Sequence, residues 1–275
     1  MTAEKQRYVG QPMERVEDAA LLTASAKFTD DMPMQAGTLH VAFLRSPHAS
    51  ADILSIDVSA AEDRPGVAAV LTGEDIKQVS SPFLIVVKEP MDQWCLAVGR
   101  VRFVGEAVAA VIADDRYIAE DAIDLIEVDY APLKPVIDPV EAAQEGAPLV
   151  HSAVGTNLVS VRDFAYGDPE TAFAEADHHV ELTVNYPRNS HTPIEGYVVL
   201  AEYDQTSDLY DVMSNFQGPF TVHPVMARAL GVPGSRLRMR TAPFSGGAFG
   251  VKQAIFPYVV FCCIAAKKVG RSVKF

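Results

Sequence analysis

The sequence predicts an α+β protein, in which short strands and short helices alternate irregularly. Three observations carry that prediction. Residues 39–130 hold several runs of strand composition separated by turn and cap residues. Residues 131–157 are interrupted by Pro132, Pro135, Pro139 and Pro148, with Gly146 and Gly155 among them, the composition of a linker or a surface strap. Residues 198–213 read as a hairpin, and a helix, a strand and a glycine-rich loop follow it. No strand–helix–strand repeat is sustained and no fingerprint follows an early strand, which excludes a Rossmann-type NAD enzyme.

Taken in order, residues 15–31 are mixed and turn-rich, and residues 39–45 form a strand closed by Ser46 and Pro47. A second short strand covers 53–58, with Ser59 placed to cap a brief helix. A third covers 66–71, before the helix-start signal Thr72-Gly73-Glu74-Asp75. Residues 77–95 are irregular and carry the single tryptophan, Trp94. The best-defined unit comes next: a strand at 101–104, a turn at Gly105 and Glu106, and the apolar run 107–113. Asp114 and Asp115 then cap an amphipathic helix over 116–125, and a strand follows over 126–130. Ile118, Ala122 and Leu125 fall at i, i+4 and i+7, a stripe expected to face a core.

Beyond the linker, Gly167-Asp168-Pro169 opens a short helix running to Ala176, and residues 178–186 alternate with strand composition. His191-Thr192-Pro193-Ile194-Glu195-Gly196 is a proline-containing loop with one carboxylate. Strands over 198–203 and 209–213 flank the turn 204–208. Gly218, Pro219 and Thr221 start a helix that ends at Gly231. The strand 236–241, the loop 244–253 and a helix over 251–268 stopped by Gly270 come next. Residues 270–275 begin another strand, which reads as the front part of something larger.

The 275 residues suffice for two domains, and 49% hydrophobic with 21% charged residues is ordinary for a globular protein. An excess of 36 acidic over 23 basic residues, net −13, argues against a nucleic-acid or anionic-membrane surface. The first seven residues have no apolar export segment and no twin arginine. The longest apolar run, 254–266, is too short to span a bilayer and contains Pro257. Cys95, Cys262 and Cys263 give neither a disulfide framework nor a metal motif, and a reducing cytoplasm fits this usage. His178 and His179 form the only histidine pair, and strand alternation would aim their rings at opposite faces, so no zinc site is expected.

The chemistry is expected at Phe244-Ser-Gly-Gly-Ala-Phe-Gly-Val-Lys-Gln253. Its glycines allow positive φ and close approach, and its amides lie between a strand and a helix, a seat for oxyanions. The alternative is a tight turn that packs a helix near a sheet. Neither a G-x-G-x-x-G nor a Walker spacing fits, since Lys252 stands five residues after Gly247 with no Ser or Thr behind it. Gln217 lies between a strand end and a helix start, where ligand sites concentrate, although an exposed loop glutamine is the plainer reading.

Several segments resemble the molybdenum hydroxylases, the family of xanthine dehydrogenase, aldehyde oxidase and aerobic carbon monoxide dehydrogenase. VRFVGEAVAAVIADDRYIAEDAIDLIEVDYAPLKPVIDPVEAA, residues 101–143, resembles their α/β hammerhead domain. The opening YVGQPMERVEDAALLTASAKFTDDM and the later AFLRSPHASADILSID resemble the start of their large subunits. FAYGDPETAFAEADHHVE, SNFQGPF and FSGGAFGVK are similar to segments of their first molybdopterin-binding region. The resemblance implies an arm at 1–17, a hammerhead domain at 18–135, a linker at 136–160 and an incomplete first molybdopterin-binding region at 161–275. It also implies a cytoplasmic complex that oxidises an aldehyde, an N-heterocycle or carbon monoxide, with water as oxygen source. The expected cofactor is molybdenum–molybdopterin in its cytosine dinucleotide form, with [2Fe–2S] and FAD on partner subunits. The catalytic base is expected in the remainder of the large subunit, so the chain alone would be inactive.

By the same resemblance, Gln217 is the catalytic glutamine, whose amide hydrogen-bonds an oxygen ligand of the metal. Gln217, Gly246, Gly247, Ala248, Phe249 and Gly250 bind the cofactor, Phe249, Lys252 and Gln253 line the substrate pocket, and no side chain ligates the metal. Two positions depart from the family pattern. Ala248 stands where a third glycine is usual, which is tolerable at negative φ. Gln253 replaces the glutamate of purine-oxidising members, which argues against a purine substrate. The alternative function is a non-catalytic binding or assembly module built on this fold.

Overall fold

The computed structural model describes residues 8–84, 91, 93–187 and 189–275. The first seven residues of the expected arm, and residues 85–90 and 92 of the irregular stretch, lie outside the described residues. In chain order the first part holds α1 (Asp18–Leu22), β1 (Leu39–Arg45), β2 (Ala51–Asp57), α2 (Ser59–Glu62), β3 (Val67–Thr72) and α3 (Gly73–Val79). Then come β4 (Arg100–Val101), β5 (Ala107–Ala113), α4 (Arg116–Ile123) and β6 (Glu127–Pro132). The second part holds α5 (Pro139–Ala142), α6 (Pro169–Ala174), β7 (Val199–Asp204), β8 (Leu209–Ser214), α7 (Pro219–Ala229), β9 (Leu237–Arg240), α8 (Phe256–Val269) and β10 (Val273–Lys274).

These strands make two sheets. A seven-stranded sheet has the order β3-β5-β1-β10-β7-β8-β9, and a three-stranded sheet the order β4-β2-β6. The large sheet runs through both halves of the chain, because β10 lies between β1, which it meets in parallel, and β7, which it meets antiparallel. One face is covered by α8 and α7, whose Val259, Phe261, Cys262, Cys263 and Met226 share a core with Phe43, Ile112 and Val212 of the sheet. Beneath α4 and α2, Ala119, Ala122 and Ala61 meet Ala109, Val111 and Ala113. Both faces of β5 are therefore covered, which is why the run 107–113 is apolar throughout rather than alternating.

Most expected elements form, and the differences have local causes. Thr72 starts α3 with its N–H and hydroxyl both donating to the Asp75 carboxylate at 2.8 Å. Ser59 is the first residue of α2 rather than its cap, and Asp57 accepts from its N–H and hydroxyl. The strand expected at 101–104 stops at Val101, because the Arg102 N–H donates to the Glu106 carboxylate at 2.5 Å and turns the chain. Helix α4 ends at Ile123, so Leu125 lies past it and is exposed, while Ala119, Ala122 and Ile126 are buried.

Residues 178–186 form no strand, and Val180, Leu182, Val184 and Tyr186 are exposed, since no described strand lies beside them to complete a ladder. The helix expected over 251–268 is two pieces, a 3-10 helix over Val251–Ile255 and then α8. Pro257 is the reason: its ring lacks the N–H that would bond back to residue 253, so it begins a helix instead of continuing one.

Candidate functional site

Strands β8 and β9 are parallel neighbours, with Tyr210 opposite Leu237 and Met213 opposite Arg240, and α7 is the crossover between them. Their carboxyl ends therefore open on one edge of the sheet, where ligands of such units sit. Gln217 follows β8 and the glycine loop follows β9. Strand β7 runs antiparallel to β8, with Val199 opposite Ser214, so residues 191–198 arrive at the same edge.

Gln217 is tied to the glycine loop twice. Its N–H donates to the Lys252 carbonyl at 3.4 Å, and its Oε1 accepts the Gly250 N–H at 2.7 Å. A backbone N–H must meet the oxygen of the amide, so this bond fixes which way the side chain lies and leaves Nε2 as an outward donor. Gly247, Phe249 and Gly250 have φ of 98°, 50° and 96°. Glycine adopts such values at no steric cost, whereas Phe249 does so against the ordinary preference, with its ring 67% exposed. Ala248 is not among the left-handed positions, so its Cβ is accommodated.

Among the described residues the N–H groups of Gly247, Ala248 and Phe249 have no acceptor, whereas those of Gly246, Gly250 and Val251 do. Three successive free amides in a loop of alternating φ make a concavity suited to anions. Gln253 is exposed and lies beside Gly218, where an added Cβ would be 3.8 Å from its Nε2. Gln217, Phe249, Gly250 and Gln253 therefore share one surface.

Lys252 does not join them. It is fully buried, and its Nζ donates to Glu195 Oε2 at 2.5 Å, so it lies on the inner side of the loop rather than in an open substrate pocket. The same Oε2 accepts the Gly246 N–H at 2.9 Å. Gly246, expected to bind the cofactor, thus has its N–H already used, and so has Gly250, whose N–H was expected to face the cofactor and instead donates to Gln217. A Cβ added at Gly246 would lie 2.4 Å from the Glu195 Cβ, so glycine is required there by the approach of Glu195. Burial works to raise the Glu195 carboxyl, but Lys252, the Gly246 N–H and the Asn215 amide outweigh it and hold the group below the ordinary glutamate value. Oε1 of Glu195 is buried and has no hydrogen-bond partner among the described residues. Asn215 donates to the Gly196 carbonyl at 2.7 Å, and the Tyr197 hydroxyl to the Val251 carbonyl at 2.7 Å, tying the pre-β7 loop to both neighbours.

Glu195 is the residue that sequence reasoning left without a role. Its one signal was being the single carboxylate in a proline-containing loop.

A family model described as the a/b hammerhead domain of aldehyde oxidase and xanthine dehydrogenase matches residues 23–134, and a molybdopterin cofactor-binding domain matches 150–275. The chain is 35% identical over 282 residues to the 6-hydroxypseudooxynicotine dehydrogenase complex subunit gamma of Paenarthrobacter nicotinovorans, covering 98% of this chain and 34% of that one. It is 32% identical to the carbon monoxide dehydrogenase large chain of Afipia carboxidovorans, covering 99% and 35% of the two. The crystal structure of quinoline 2-oxidoreductase from Pseudomonas putida superposes with a TM-score of 0.83 at 33% identity, over 98% of this chain and 34% of that one. The chain thus spans about a third of the length of these relatives. With a hammerhead domain leading into a molybdopterin cofactor-binding region, and the two continuous in one sheet, the chain belongs to the molybdenum hydroxylase family.

Proposed function

We propose that this chain forms one wall of the molybdenum site in the large subunit of a hydroxylase complex that oxidises an aldehyde, an N-heterocycle or carbon monoxide. The observation that carries this reading is the row of free amides at Gly247, Ala248 and Phe249 beside the Gln217 side chain. The chemistry of that surface fits the group. It offers donors and no charged side chain, which suits an acceptor-rich, anionic cofactor without competing for protons. When bound, molybdenum–molybdopterin supplies the oxidation, with water as oxygen source and electrons passed to [2Fe–2S] and FAD on partner subunits.

The protein's own contribution is placement. Gly250 holds the Gln217 oxygen, so the amide nitrogen is presented as a donor without needing to reorient during reaction. Phe249 is exposed, with its apolar ring lying over Gly247, and would bound the substrate space. Gln253 adds a neutral amide, which favours substrates other than purines. The cytosine dinucleotide form of the cofactor and a cytoplasmic location belong to the same proposal.

The test is molybdenum and pterin analysis of the complex purified with this chain, together with the turnover of Gln217→Glu. The variant keeps an oxygen for the Gly250 N–H but loses the outward donor. Turnover should fall about 100-fold or more, as when a single preorganised donor is removed, with assembly unchanged. A stoichiometric complex free of molybdenum would refute the reading and favour a non-catalytic module, and full turnover by the variant would remove Gln217 from the site.

A further inference from the structure

We infer that Glu195 is a positioning residue, whose carboxylate clamps the two ends of the glycine loop and so sets where its free amides and Phe249 stand. The inference rests on the proposed function for its catalytic consequence but not for its structural content.

A single oxygen, Oε2, receives both the Gly246 N–H at 2.9 Å and the Lys252 Nζ at 2.5 Å. These two donors bracket residues 247–251, so one atom fixes the span of the loop between them. The clamp belongs to a different element, the segment before β7, and its stem packs against Gly246 so closely that no Cβ fits. Asn215 and Tyr197 brace that segment in turn, through the Gly196 and Val251 carbonyls. Moving Glu195 would therefore move the loop.

A purely stabilising role accounts poorly for this arrangement. The lysine is fully buried, the carboxylate side chain is 10% exposed, and Glu195 Oε1 has no partner among the described residues. Removing two charges from water is expensive, and well-packed apolar residues of similar volume hold a structure as well or better. What an apolar pair lacks is direction. A carboxylate shared by an ammonium and an N–H fixes two donors at hydrogen-bonding distance from one point.

The experiment compares amide hydrogen exchange in the assembled complex for the wild type and two double variants. Glu195→Met with Lys252→Met removes both anchors, and Glu195→Gln with Lys252→Met keeps an acceptor for Gly246. The peptide covering 244–253 should exchange at least about tenfold faster in the first double variant and by an intermediate factor in the second, while a peptide within 259–269 of α8 stays at the wild-type rate. Unchanged exchange in the loop would overturn the inference. So would equal loosening of loop and α8, which is what a merely structural pair, or a variant that fails to fold, would give. The same preparations carry the catalytic consequence: kcat should fall about 10- to 100-fold with KM less affected, since a displacement of about 1 Å suffices for such a loss. A loosened loop with wild-type kcat and molybdenum content would leave the clamp standing and refute the cofactor-facing role instead.

Discussion

Replacing Gly246 by alanine isolates the contact between the glycine loop and Glu195. The added Cβ would lie 2.4 Å from the Glu195 Cβ and 3.3 Å from its backbone nitrogen. Carbon atoms sit best at about 3.5–4.0 Å, so the stem of Glu195 or the loop must move by roughly 1 Å. Overpacking of this kind costs about 1–3 kcal/mol. The Lys252 and Gly246 bonds start at 2.5 and 2.9 Å, and a shift of that size strains or breaks at least one of them. A hydrogen bond to a charged group contributes about 1.5–3 kcal/mol, so the total loss should be about 3–5 kcal/mol. For a chain of this size that lowers the melting midpoint by roughly 6–20 °C. Thermal unfolding followed by circular dichroism measures it. Gly250→Ala is the control: its Cβ meets only the His191 ring, no nearer than 3.7 Å, and its penalty comes from a φ of 96°. Left-handed φ costs a residue with a side chain about 1–2 kcal/mol. A Gly246→Ala loss no larger than that of Gly250→Ala would refute the reasoning.

Two further predictions concern groups whose protonation the fold alters. Burial pushes the Cys95 thiol up to about 12 and raises Cys262 and Cys263 as well, so none supplies thiolate near neutral pH. A maleimide at about pH 8 should leave all three unlabelled in the folded protein and label all three after unfolding; rapid labelling of the native state would contradict their burial. The glutamates Glu195 and Glu106 should move stability in opposite directions with pH. Glu195 is held below its ordinary 4.5, so its contribution is present above that value and is lost as pH falls through the lower, folded one. Burial raises Glu106, whose contribution is complete below 4.5 and is lost as pH rises through the higher, folded value. Denaturant midpoints at about pH 4 and pH 7 should therefore show Glu106→Gln improving the neutral-pH midpoint more than the acidic one. The Glu195→Gln, Lys252→Met pair should lose part of the wild type's decline below 4.5. An equal Glu106→Gln effect at both pH values would count against the burial argument.

Elements whose signals are local were legible in the sequence. The strand over Leu39–Arg45 matched residue for residue, and Thr72, Asp115 and Gly218-Pro219 marked helix starts that form. Gln217 was placed between a strand end and a helix start, where it lies. Contacts between distant segments were not legible. Period-two alternation at 178–186 records a capacity to pair but cannot say whether a partner is at hand. The resemblance put Lys252 in the substrate pocket, whereas its burial depends on Glu195, 57 residues away. Likewise, β10 contributes two residues whose neighbours, β1 and β7, come from different halves of the chain. Nothing in Val273 or Lys274 announces that.

The glycines of the loop are present for different reasons, and separating them explains the alanine among them. Gly246 is required by close approach, since its φ is not left-handed and Glu195 fills the space a side chain would take. Gly247 and Gly250 are required by φ of 98° and 96°, and at Gly247 a Cβ would also meet the Phe249 ring at 2.8 Å. Ala248 is under neither constraint: it lies outside the left-handed region, and no anchor approaches its backbone N–H. A third glycine there would add only freedom to the unfolded chain. Ala248→Gly should therefore cost about 0.4–1 kcal/mol of stability through that entropy alone, seen as a lower denaturant midpoint at unchanged slope. The same substitution should leave the Gly250–Gln217 bond intact. A gain in stability would mean that the alanine Cβ is strained where it stands, and that the loop's own geometry asks for glycine at position 248 as well.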